Sequence, residues 1–220
     1  MHALDAHEIY RFFHIGDDET AALRGVSFHV AAGEIVALVG PSGSGKSTLL
    51  ACVTGLDEPD GGYVEVSGVR LTRRPEAHRT RVRAASFGIL LQSGNLFGHL
   101  NVEQNLRLQM LLAKKPDDRR MASLLESVGL SHRARAFPTE LSGGETARAG
   151  LAVTLAADPL ILVADEPTAE VDSDTESRLI AHFEARRDTG LATLLATHSN
   201  ALAQRADRII RLKDGRIDRG

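Results

Sequence analysis

Apolar positions along this chain follow two rhythms, which change at definite places. Residues 34–39, 160–164 and 192–196 form near-continuous apolar runs, the first ending at Gly40. Runs this short and unbroken predict strands buried on both faces, as in a parallel sheet covered by helices. Residues 9–13 and 26–30 cluster or alternate β-formers, and Ala31-Ala32-Gly33 then turns the chain. Residues 63–66 alternate after the turn-rich stretch 57–62, which predicts a half-exposed antiparallel strand. Residues 46–54 read as a helix stopped by Gly55, and 86–91 as a further strand. From 102 to 157 the pattern is mainly helical, with Met121, Leu124, Leu125 and Val128 at i, i+3, i+4 and i+7. A helix from about residue 173, a short helix after 196 and a strand over 207–212 complete the pattern. Strand–helix alternation on both sides of a helical stretch predicts an α/β fold whose parallel sheet hosts a helical subdomain. No repeat or linker interrupts the 220 residues, so one compact unit is expected.

Composition narrows the class. Lys plus Arg number 26 against 29 Asp plus Glu, and the net charge of -3 argues against a protein that coats nucleic acid or an anionic membrane. Charged residues at 25% and hydrophobic ones at 43% exclude disordered and collagen-like chains. No apolar run approaches the roughly 20 residues of a membrane helix. The start, Met1-His2-Ala3-Leu4-Asp5, has neither the basic head nor the apolar stretch of a secretion signal. A single cysteine, Cys52, cannot form an internal disulfide and fits a reducing compartment, so a cytoplasmic location is expected. The arginine-rich stretch from Arg70 to Arg83, six arginines against Glu76, reads as a helix with a solvated basic face. Aromatic residues are scarce, yet Tyr10, Phe12 and Phe13 stand together.

Candidate chemistry begins at Gly40-Pro41-Ser42-Gly43-Ser44-Gly45-Lys46-Ser47, which satisfies G-x-x-x-x-G-K-[ST] between an apolar strand and a helix. Glycines let the backbone curl so that successive N–H groups point at phosphate oxygens. The helix N-terminus adds about half a positive charge, and Lys46 supplies a full one. The hydroxyl of Ser47 suits Mg²⁺, with Thr48 just behind it. A second candidate is Asp165-Glu166, at the C-terminal end of the apolar run 160–164, the edge where open α/β sheets bind ligands. Adjacent carboxylates repel unless their tasks differ. The economical division gives Asp165 to Mg²⁺ through water and Glu166 to an attacking water as general base. His198 emerges in the same way after the run that starts at 192, as a candidate γ-phosphate sensor. Leu141-Ser142-Gly143-Gly144-Glu145 fits the S-x-x-E capping box, but its two glycines also bare backbone amides at a helix start.

Taken in order, the phosphate loop, the Ser142–Glu145 segment and Asp165-Glu166 make the chain similar to the ATP-binding subunits of ATP-binding cassette (ABC) transporters. The resemblance runs through essentially the whole chain. It implies a P-loop ATPase with a RecA-like parallel-sheet core, an N-terminal antiparallel β subdomain and an inserted helical subdomain. The core would span about 1–94 and 159–220, and the helical part about 95–158. It further implies ATP hydrolysis with Mg²⁺ and a head-to-tail dimer. In that dimer each ATP lies between one copy's phosphate loop and the other's Ser142, Gly143 and Gly144. Gln92 would sense Mg²⁺ and link ATP to a separate transmembrane permease, holding the chain at the inner face of the cell membrane. Asp172 matches the loop that crosses the dimer interface, and His198 the switch histidine. An aromatic on the first strand stacks on adenine in this family. Alignment on Gly16 and Leu23-Arg24-Gly25-Val26-Ser27 points to Phe13, with Tyr10 and Phe12 as the alternatives.

Stretches such as Arg11-Phe12-Phe13 and Gly33-Glu34-Ile35-Val36-Ala37 resemble the lipoprotein-release, macrolide-export and cell-division branch, as do Ser93, Asn95-Leu96 and the close from Ala206 to Gly215. The expected output is therefore export or extraction of lipoprotein, peptide or drug-like substrates, or mechanical control of an envelope process without solute movement. Departures from the family pattern include Glu145-Thr146-Ala147 in place of glutamines before Arg148, Val153 for Arg, Gln104 for Glu, Gly94 for an aromatic, and Glu170-Val171 for Asn-Leu. None removes a phosphate, metal or base residue. A soluble family member acting on DNA or ribosomes typically carries two cassettes or coiled-coil inserts. This chain has one motif set, no sustained heptads and a net negative charge, and no nucleic-acid partner is expected.

Overall fold

The computed structural model describes residues 2–15, 18–169 and 171–218. Gly16, used to align Phe13, and Glu170 of the interface loop lie outside the described residues. Two sheets form the frame. A four-stranded antiparallel sheet has the order β2-β1-β4-β5, from β1 (His2–Ile15), β2 (Asp18–Ala31), β4 (Gly61–Val66) and β5 (Val69–Arg70). The second sheet has the order β10-β9-β3-β8-β7-β6. Its strands β3 (Ile35–Val39), β6 (Phe87–Leu90), β7 (Ile161–Asp165), β8 (Ala192–Ala196) and β9 (Arg208–Lys213) run parallel, and β10 (Arg216–Asp218) closes one edge antiparallel.

The apolar runs of the parallel strands are divided by their two-residue period. Val36 and Leu38 of β3, Ile161 and Val163 of β7, and Leu194 of β8 enter a core shared with α1 (Lys46–Val53) and the antiparallel sheet. Their neighbours Ile35, Ala37, Leu162, Ala164 and Leu195 enter a second core with α5 (Gly143–Leu155), α6 (Ser173–Asp188) and α7 (Asn200–Gln204). Each strand needs apolar residues at every position because each face has its own cover. A third core joins Val102, Leu106 and Met110 of α3 (Val102–Leu112), Met121 and Leu125 of α4 (Asp118–Ser127), and Ala149 and Ala152 of α5. Helix α2 (Glu76–Ser86) buries none of its residues, and Arg73, Arg74 and Arg81 are exposed, whereas Arg79 and Arg83 lie half-buried and both pair with Glu76, so the arginine-rich stretch is solvated only in part.

The N-terminal hairpin is longer than its apolar pattern predicts, reaching 14 residues in each strand rather than 9–13 and 26–30. A register shift between Ala6 and Ile9 is the reason. Leu4 and Ala6 point into the core, Glu8 takes a left-handed φ of 51°, and Ile9 rather than residue 8 resumes the buried face. One inserted residue breaks the alternation in the sequence while leaving the strand intact.

Candidate functional site

The C-terminal ends of β3, β6, β7 and β8 open onto a cleft of about 760 Å³, within the range of small-molecule sites. Its floor is the loop between β3 and α1, where Ser42, Gly43, Gly45, Lys46, Ser47 and Thr48 line the space. Gly45 has φ of 102°, and a Cβ there would come within 2.6 Å of the Ala22 carbonyl oxygen. The position therefore demands glycine on both counts. Helix α1 follows that glycine with no side-chain cap and no acidic residue in its first turn. Its first amides are thus left for an acceptor from outside the chain, the electrostatics of an anion site.

Lys46 is almost fully buried, yet its ammonium is satisfied. It donates to the carbonyls of Gly40 (2.9 Å) and Pro41 (3.3 Å) and lies 3.3 Å from His198 Nε2. The same imidazole nitrogen is 3.2 Å from Glu166 Oε1, and the His198 backbone N–H donates to Glu166 Oε2 at 3.0 Å. Lysine, histidine and glutamate thereby meet at one imidazole nitrogen, which either accepts from Lys46 or donates to Glu166, and Glu166 Oε1 is buried with no hydrogen-bond partner. Glu166 itself sits at φ 49°, its amide bonded to the Ala196 carbonyl at 2.9 Å. Such backbone costs about 1–3 kcal/mol and concentrates at functional sites.

Asp165 ends β7, and its Oδ1 is buried without a hydrogen-bond partner. It shares the wall of a small adjoining cavity with Ser47. A buried, unpartnered carboxylate oxygen beside a hydroxyl is a donor set of the kind a hard, oxygen-seeking cation takes. Gln92 lines the main cleft from the segment after β6, and Phe13 lines it from β1. Phe13 is 39% exposed, and the Arg11 guanidinium lies 4.8 Å from its centroid. Among the described residues, His2, Asp5 and His29 also bring ligand atoms within 4.8 Å of one another. Those two imidazoles are tilted by 38° with centroids 4.1 Å apart, and neither lines this cleft.

Ser142, Gly143, Gly144 and Asp172 do not line the cleft. Ser142 caps α5, accepting from the Glu145 amide while the Glu145 carboxylate accepts from the Ser142 amide at 2.8 Å. That backbone hydrogen bond first, and Arg133 and Arg148 more weakly, hold the Glu145 carboxyl below its ordinary range. Asp172 caps α6 through the Thr175 amide at 2.7 Å, which likewise lowers its pKa, and Arg148 donates to the Thr175 hydroxyl at 2.8 Å. A Cβ on Gly144 would lie 3.0 Å from that hydroxyl and 3.4 Å from Asp172 Oδ2, so the two segments abut within one chain.

Sequence reasoning overlooked Ala22, Thr168, Ala169 and Ser199, all of which line the cleft. Ser199 caps α7 through the Leu202 amide and donates to Glu176 at 2.6 Å. Its place beside His198 was a signal, but a neighbouring small polar residue carries little chemistry by itself.

Residues 23–169 match the family model described as ABC transporter. The chain belongs to that family. Among curated relatives it is 37% identical to an uncharacterized ABC transporter ATP-binding protein of Thermotoga maritima, over 96% of this chain and 92% of that one. It is 43% identical to the lipoprotein-releasing system ATP-binding protein LolD of Roseobacter denitrificans, over 89% and 88%. It is 41% identical to the methionine import ATP-binding protein MetN of Brucella abortus, over 90% of this chain but 55% of that one. Among solved structures, the dimeric cassette MJ0796 in a post-hydrolysis state bound to ADP and phosphate superposes with a TM-score of 0.93 at 29% identity, covering 98% and 97% of the two chains. The fold is the ABC ATPase fold, and the protein is an ATP-binding cassette ATPase.

Proposed function

We propose that ATP lies across the cleft with its base on Phe13 and its phosphates on residues 40–48. The observation that carries this reading is the convergence of an uncapped α1 start, buried Lys46, Glu166 and His198 on one cavity. Bound ATP replaces the Gly40 and Pro41 carbonyls as the acceptors of the Lys46 ammonium. Ser47, Gln92 and, through water, Asp165 would hold Mg²⁺, the Asp165 oxygen being buried with no hydrogen-bond partner in the chain. The ion, when bound, neutralises phosphate charge. Glu166 accepts a proton from the attacking water, and His198 donates to the γ-phosphate while fixing the Glu166 carboxylate.

A second copy supplies Ser142, Gly143 and Gly144 over the triphosphate, with Asp172 at the interface. A head-to-tail dimer accounts for their absence from their own chain's cleft. The division of labour follows the sequence boundaries: residues 1–94 and 159–220 hold ATP, and 95–158 present the signature to the partner copy. The chain drives a separate transmembrane permease from the inner face of the cell membrane. Identity of 39% and 43% along most of the length of two LolD proteins favours the lipoprotein-release branch and export or extraction of lipoprotein, peptide or drug-like substrates. Among the described residues no helix is long and apolar enough to cross a membrane.

Glu166→Gln tests the reading. ATP binding should persist while turnover falls by about 10²–10⁴ in a steady-state phosphate-release assay. Unchanged turnover would remove Glu166 from the role of base.

A further inference from the structure

Phe13 would present only one face to a base, because its other face is occupied. The Arg11 guanidinium centre lies over the ring at 4.8 Å, within the distance of a cation–π contact. The guanidinium is itself held on nearly every donor. Its Nε and Nη2 form a two-pronged contact with the Asp57 carboxylate at 2.7 and 3.1 Å. Its Nη1 donates to Asp60 at 3.1 Å and to the Phe12 carbonyl at 3.3 Å. Asp60 closes the loop by accepting the Phe12 amide at 2.7 Å. Four hydrogen bonds fix the plane of a side chain that is otherwise among the most mobile.

The anchors are not on the hairpin that carries Phe13. Asp57 and Asp60 belong to the turn after α1, and the Asp57 amide bonds back to the Ala51 carbonyl of that helix at 3.1 Å. Helix α1 begins at Lys46, in the phosphate loop. One rigid path therefore runs from the phosphate-binding end, through α1 and the two aspartates, to Arg11 and the ring.

We propose that Arg11 is a positioning residue for base recognition, setting the plane of Phe13 and its distance from the phosphate loop so that a purine base and its triphosphate are met together. This rests on the reading of Phe13 as the base platform. A cation beneath the ring also draws electron density from the opposite face, which favours stacking of an electron-rich base there. The site thus selects the base through a residue that never touches it.

The test compares two probes on the full-length chain with Mg²⁺: ATP, and inorganic tripolyphosphate, which has no base. Arg11→Gln should weaken ATP binding about tenfold, the scale of one base–aromatic stack, while tripolyphosphate binding stays within about twofold. KM for ATP should rise with kcat at saturation unchanged. Arg11→Lys, which keeps the charge but loses the fork, should recover less than half of the loss on a logarithmic scale, and it provides the milder variant if Arg11→Gln folds poorly. Phe13→Ala should lose ATP selectively to the same extent, and adding Arg11→Gln to it should cost nothing more. Equal loss of both probes, unchanged ATP affinity in Arg11→Gln, or full recovery in Arg11→Lys would overturn the proposal. If Phe13→Ala leaves ATP affinity unchanged, the platform reading itself is wrong. If Phe13→Ala loses affinity and Arg11→Gln does not, the platform stands and the positioning role is wrong.

Discussion

Two helices of this molecule start at glycines, and their starts are in opposite electrostatic states. Helix α1 follows Gly45, its N-cap residue, with no side-chain cap and no acid in its first turn. Helix α5 begins at Gly143 behind a complete capping box, with Glu145 in the first turn. The first is an anion site kept open by its own sequence, with a buried lysine turned onto backbone carbonyls until a better acceptor arrives. The second is satisfied at two of its amides, those of Ser142 and Glu145, and leaves the Gly143 and Gly144 amides for an acceptor outside the chain. On the proposed reading the two ends do different work on one ligand: the first would bind phosphate in the single chain, and the second, capped within its own chain, would add contacts when a second copy closes.

The comparison breaks most visibly at Lys46. Lys46→Ala should reduce ATP affinity about a hundredfold by calorimetry or fluorescent-nucleotide binding, since a charge-assisted contact is lost at the open site. An unaltered affinity would mean that α1 is not the primary phosphate site. At the other end, Ser142→Ala should leave the single chain's ATP affinity unchanged but lower its thermal midpoint by about 2–4 °C, the loss of one cap near 1 kcal/mol in a domain of this size. A fall in ATP affinity with no change in midpoint would reverse the roles assigned to the two helices.

The smallest effect comes from Glu145→Gln, which keeps the box geometry and removes the charge. Glu145 has its carboxyl lowered from the ordinary 4.5, chiefly by the Ser142 amide. Its contribution is therefore full above pH 4.5 and is lost as pH falls through the lowered folded value. The midpoint difference between the two proteins should be about a degree or less at neutral pH and should close in acid. A difference that grows in acid would contradict the sign.

Why some of this was legible in the sequence and some was not follows from how far apart the partners lie. The phosphate loop is contiguous, so strand, glycines, lysine and helix stand in eight consecutive residues. The parallel strands showed themselves because both faces are buried, which makes Ile35 to Leu38 apolar without a break. The hairpin ends did not, because the irregularity at Glu8 shifts the buried face by one residue. The contact of Arg11 with Asp57 and Asp60 joins residues 46 and 49 positions apart, and neither aspartate carries a motif. The link from Lys46 to His198 spans 152 positions; its members were each suspected, but their convergence on one nitrogen is a fact of the fold alone.

In the proposed dimer a closed site takes α1 from one copy and α5 from another. The most direct measurement is sedimentation velocity of Glu166→Gln with saturating Mg²⁺-ATP, with and without Gly143→Glu. An added acid in the first turn of α5 suits the helix dipole and should not endanger the fold, but it sets a like charge against the partner's triphosphate. Glu166→Gln should sediment as a dimer and the double variant as a monomer that still binds ATP within about twofold. A double variant that dimerises as well as its parent would contradict that arrangement.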